Sequence, residues 1–150
     1  MSRSIWRRTP RAASRRSSTA PVRLPAAQAR GGELLARGRI FVAPPGRNLL
    51  VRGPRAVVVR GPHENGPRPA IDPLFRSAAV TYGRRAVAVV LSGTRDDGVS
   101  GASAVGTREG CVFVHDPEDS LFPILPAHTV SRDLPTASCP SPSWRRPSPR

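Results

Sequence analysis

Two adjacent carboxylates, Asp96 and Asp97, stand in the stretch from Ala86 to Gly101, AVAVVLSGTRDDGVSG. A run of small and β-branched apolar residues, Ala86 to Leu91, stops at Ser92-Gly93, passes through a polar turn and restarts at Gly98. That order fits a buried parallel strand feeding a loop and then a helix. Open α/β sheets gather ligands and catalytic groups in the crevice beyond the carboxyl ends of such strands, and Asp97 falls there. Ser14, Ser17 and Ser18 lie among arginines, with no GxSxG-like elbow around them. The three histidines are His63, His115 and His128.

The elements that would position the turn follow from pattern. Ile40-Phe41-Val42, closed by Pro44-Pro45-Gly46, reads as a short strand and turn, and order is expected to begin near Gly38-Arg39. The runs NLLVRG and AVVVRG, separated by Gly53-Pro54, read as a hairpin attached to the main sheet, and GPHENGPRPAID as a loop. Asp72-Pro73 then opens a helix, with Asp72 as N-cap and Pro73 in the first turn. Leu74, Phe75, Ala78 and Ala79 form its buried stripe and Gly83 its end. The strand before the acidic turn, a helix of small residues from about Val99 to Glu109, and the strand Cys111 to Val114 make a right-handed βαβ unit. Pro126-Ala127-His128 is placed to start a short last helix.

Length and charge bound the possibilities. A chain of 150 residues is one domain or most of one. Of the formal net charge of +14, only +4 belongs to residues 33–132. Residues 1–32 carry eight Arg and no acid, so the ends make the charge. All 24 basic residues are Arg, and the aromatics that would interleave with a nucleic-acid-binding surface are scarce. No specific nucleic-acid partner is expected. No apolar run approaches the ~18–20 residues of a membrane span, and no apolar segment follows the Arg-rich start as a secretory signal would require. Cys111 and Cys139 form neither a disulfide framework nor a CxxC pair, which makes a reduced, cytoplasmic setting the default.

From about Gly31 to Val130 the chain resembles the catalytic domain of CheB, the protein-glutamate methylesterase of bacterial chemotaxis. The matching stretches are GRIFVAPPGRNLLV, RPAIDPLFRSAA, VVLSGTRDDGVSG and DPEDSLFP with Pro126, in the same order along the chain. The resemblance implies an α/β domain with a mainly parallel, Rossmann-like sheet, flanking helices and a hairpin. It implies hydrolysis of γ-glutamyl methyl esters on methyl-accepting chemotaxis receptors, with glutamine deamidation in some members. No cofactor and no metal are implied. The family works through a Ser-His-Asp triad, whose carboxylate holds the imidazole in the right tautomer and stabilises its charged form. Its Asp maps onto Asp97, the catalytic candidate, in an active-site turn with Gly93, Thr94 and Gly98. Asp96 is read as a solvated or helix-capping carboxylate.

The resemblance is incomplete. The family's serine, in a Gly-rich turn after the first strand, and its histidine, after the next strand, have no counterpart here. The three histidines of this chain read as loop or surface residues. Thr94 stands where many members have Met, Asn48 and Pro67 where His is expected, and Ile124-Leu125 where the family has Gly-Met. Back-translation with GC-rich codons, shifted to the third base, turns SIWRRTPRAASRRSSTAPV into HLAPHTPGGLPPILDRAG, similar to the family's histidine segment. The same shift turns the tail into an amphipathic helix. The expected organisation is therefore a basic arm, disordered or out of frame, over 1–28, a partial CheB-type domain over 29–131, and a tail of the same kind over 132–150. As written, the chain is expected to lack esterase activity. The alternative is a non-catalytic receptor-binding remnant that docks through its basic arms.

Overall fold

A computed structural model describes residues 24–61 and 68–132. Its elements are four strands followed by alternating helices and strands, in an α/β arrangement. Six strands pair as three two-stranded sheets among the described residues. β1 (Ala26–Gln28) and β2 (Ile40–Val42) are parallel, with Ala27 opposite Phe41. β3 (Asn48–Arg52) and β4 (Arg55–Val59) form an antiparallel hairpin closed by Gly53-Pro54. β5 (Val87–Val90) and β6 (Cys111–Val114) are parallel and in register from Val87 opposite Cys111 to Val90 opposite Val114.

Among the described residues there are three α-helices, α1 (Ile71–Tyr82), α2 (Val99–Thr107) and α3 (Ile124–Ser131), with a 3-10 turn Gly83–Arg85 after α1. α1 lies along the hairpin and satisfies its edge. The Val51 N–H donates to Ser77 Oγ at 2.9 Å, and Thr81 Oγ1 donates to the Val51 carbonyl at 3.1 Å. The buried Asn48, in the slot where the resemblance expects His, accepts the Ala70 N–H on its side-chain oxygen at 3.0 Å and fixes the chain entering α1. Hairpin and helix are therefore joined by polar bonds as well as by Leu49, Ala56 and Leu74 of a small apolar cluster.

The main core lies between α1, α2 and the β5–β6 pair. Ala79, Ala86, Ala88, Ala102, Val105 and Val112 are buried together, with Phe75 and Tyr82 packed against them. Small residues let the helices approach closely. A Cβ on Gly101 would lie 2.6 Å from Cβ of Phe75 and 3.1 Å from the backbone of Asp72, so only glycine fits where α2 crosses α1.

Four expectations change. β1 falls inside the arm expected over 1–28, and order begins well before Gly38. Ala-Ala-Gln has no β-branched residue, and the strand exists because it pairs with β2. The hairpin is a separate sheet, held by α1 rather than by strand bonds to the other pairs. β5 is buried on one face only: Ala88 and Val90 are buried whereas Val87 is 60% and Val89 50% exposed, since α1 and α2 pack on the same side. α3 starts at Ile124, two residues before Pro126, whose lack of an N–H is harmless in a first turn. Apart from residues 24–28 and Arg132, the expected arm and tail lie outside the described residues, as do His63, Pro67 and the serines near the N-terminus.

Candidate functional site

The turn between β5 and α2 carries both carboxylates, and its two ends are fastened to different partners. At its start, the Gly93 N–H donates to the Phe122 carbonyl, and the Leu125 N–H donates back to the Gly93 carbonyl, each at 3.0 Å. Leu125 is buried with Val90 and Val99, close enough to Gly93 that a Cβ there would meet Leu125 Cδ2 at 2.9 Å. At its end, Gly98 takes φ 110°, a left-handed value that favours glycine, and serves as N-cap residue of α2.

Between these anchors, Asp97 turns inward. The Ile71 N–H donates to its Oδ2 at 2.7 Å and the Asp72 N–H to its Oδ1 at 3.0 Å. These are orphan donors of the first turn of α1, and the next residue, Pro73, has no N–H to satisfy. The positive end of the α1 dipole also faces the carboxylate. Asp72 answers in the other direction. Its Oδ1 accepts the Gly98 N–H at 3.0 Å and the Gly101 N–H at 2.6 Å, which are donors at the start of α2. Asp72 is 2% exposed. Each of the two helices is capped by an aspartate that belongs to the other's entrance.

This exchange corrects the reading of Asp72 and decides between the two readings of Asp96, in favour of the solvated one. Asp72 is not the N-cap of its own helix. Ala70 holds that position without a side-chain bond, α1 begins at Ile71, and the capping carboxylate comes from Asp97. Capping in the acidic turn belongs to Asp97, whereas the Asp96 side chain is exposed and pairs with Nδ1 of His128 on α3. Sequence spacing could not show either partner, because each lies at least 25 residues away.

The remaining candidates sit around this centre. Thr94 is exposed, and Gly93 is half-buried against Leu125. His115 follows β6, and its Nδ1 lies 3.1 Å from the Leu91 carbonyl. His128 reaches the turn at Asp96 rather than at Asp97. Among the described residues no imidazole contacts Asp97. Its two oxygens offer about four lone-pair sites, and two amide bonds leave room for a further donor. A cleft of about 510 Å³ lies elsewhere, lined by Ala27 to Arg30, Glu33 and Arg39, and shares no residue with the turn.

The sequence model of the CheB methylesterase family matches residues 10–143. The chain belongs to the CheB methylesterase family. Its relatives include a protein-glutamate methylesterase/protein-glutamine glutaminase of Rhodospirillum rubrum, 37% identical over 111 residues, which cover 71% of this chain and 29% of that protein. A protein of the same description from Myxococcus xanthus is 37% identical over 112 residues, covering 74% of this chain and 32% of the relative. The crystal structure of the Thermotoga maritima CheB methylesterase catalytic domain superposes with a TM-score of 0.62 at 27% identity, over 69% of this chain and 57% of that domain. The α/β fold is therefore that of a CheB catalytic domain, of which this chain spans part.

Proposed function

We propose that this chain contributes the acid turn of a CheB-type catalytic domain, and that the domain so completed hydrolyses glutamate methyl esters of methyl-accepting chemotaxis receptors in the cytoplasm. Water and ester give the γ-carboxylate and methanol; the corresponding reaction of a glutamine side chain releases ammonia. The observation that carries the reading is Asp97. It stands at the carboxyl end of a parallel strand, both its oxygens are engaged by α1 amides, and it has lone pairs left for an imidazole N–H. In a serine hydrolase such a carboxylate orients the histidine and stabilises it once charged.

The chain by itself is expected to be silent, since no described serine or histidine makes a nucleophile–base pair on Asp97, and a hydrolase without nucleophile and base keeps only residual transition-state stabilisation. The test uses purified chain and a receptor bearing labelled methyl esters. Chain alone should release no methanol above the blank. Addition of the separate portion of a CheB domain that carries the family's serine and histidine should restore release, and Asp97→Asn should abolish the gain by about 10⁴-fold, as for a mis-set tautomer. Methanol release by the chain alone, or a restored activity indifferent to Asp97→Asn, would overturn the proposal. Saturable receptor binding with no restored turnover would favour the non-catalytic alternative.

A further inference from the structure

The exchange between α1 and α2 joins two carboxylates that have no direct bond to each other. Asp97 holds the amides of Ile71 and Asp72, and Asp72 holds the amides of Gly98 and Gly101. The two sets interlock through the chain. The residue after Asp97 donates to Asp72, and the residue that carries the Asp72 carboxylate donates to Asp97. A shift of either side chain therefore drags the other's acceptor out of line.

From this closed circuit we infer that Asp72 is a positioning residue, which sets where the Asp97 carboxylate points. Three features set it apart from an ordinary helix cap. Asp72 is buried to 2% exposure, so its oxygen cannot be replaced by bulk water when lost. It takes two donors on one oxygen, one of them directly after Asp97, and so fixes the backbone on the side of the turn that the Gly93–Leu125 pair leaves free. The crossing point admits no larger residue at Gly101, whose Cβ would strike Phe75 and Asp72, so α2 cannot slide to compensate. An Asp97 released from this circuit would keep its charge but lose its direction, the property an orienting carboxylate needs.

That Asp97 serves an imidazole rests on the function proposed above; that Asp72 sets its position does not. The experiment therefore reads the circuit directly. Amide hydrogen exchange and the ¹³Cγ resonance of Asp97 are followed by NMR in the full chain, with Asp72→Asn and Asp72→Ala beside the parent. Loss of an acceptor for charge-assisted bonds should lower protection at Gly98 and Gly101 by about tenfold in Asp72→Ala. The deciding site is Ile71, whose acceptor is Asp97 and not Asp72. It should lose protection in parallel, and the Asp97 ¹³Cγ resonance should move, while Leu50 and Val57 of the hairpin keep their protection. Asp72→Asn retains an acceptor oxygen and should restore most of the protection at all three sites. Protection lost at Gly98 and Gly101 with Ile71 and the Asp97 resonance unmoved, in either variant, would reduce Asp72 to a cap of α2 and overturn the inference. If Asp72→Ala does not fold, the Asn variant decides alone: it must shift Ile71 and Gly98 together, to whatever extent it shifts either.

Discussion

Asp96 and Asp97 are chemically identical neighbours, and they belong to opposite regions of the molecule. Asp97 lies at the junction of α1 and α2, where two helix N-termini meet and four backbone N–H groups are shared between two carboxylates. Asp96 lies on the rim, where its side-chain partner among the described residues is the exposed imidazole of His128. The junction is a packed, geometrically over-determined joint; the rim is a solvated ion pair whose value is set by screening and side-chain entropy. A carboxylate's contribution is thus decided by the donors around it and by their burial, and hardly by its place in a motif.

Substitutions that act on this contrast fall in a clear order. The largest effect is expected from Gly101→Val, which drives a branched side chain into Phe75 and the Asp72 backbone. Overpacking of this kind costs about 3 kcal/mol, enough to shift a urea-denaturation midpoint strongly, and an unchanged midpoint would show that the joint can open. Asp97→Ala comes next. It strands the Ile71 and Asp72 amides at a half-buried site, at a cost of about 2 kcal/mol by the same denaturation measurement. Asp96→Ala or His128→Ala should change stability by no more than ~0.5 kcal/mol, and raising salt should erase the difference. A double-mutant cycle giving Asp96 and His128 as large a value as Asp97 would erase the distinction between rim and junction.

Much of the framework was legible because it rests on local pattern. Short apolar runs marked β3, β4, β5 and β6, and the small-residue helix between β5 and β6 followed from Gly98 and Gly110 as its limits. The acidic turn was placed correctly for the same reason. What stayed hidden depends on partners distant in sequence. Asp72-Pro73 looks like a self-contained helix start, but a carboxylate from the α2 entrance supplied two better-placed acceptors, so the helix begins earlier. Asp96 and His128 are 32 residues apart, and nothing in either neighbourhood forecasts the pairing. Val87 and Val89 read as core residues on apolarity alone, yet their face is exposed because both packed helices lie on the other side of the sheet. β1 has no propensity of its own and owes its shape to β2.

The fastening of the acidic turn at Gly93 and at Gly98 has a further consequence. Only Thr94 to Asp97 span the gap between anchors, and Asp97 is itself tied to α1. Confining a backbone residue costs about 1–2 kcal/mol in entropy, and for this short arc the loss is incurred when the domain folds. A donor arriving at Asp97 therefore meets a loop with little freedom left to surrender, and its binding free energy is not diluted by ordering its own receptor.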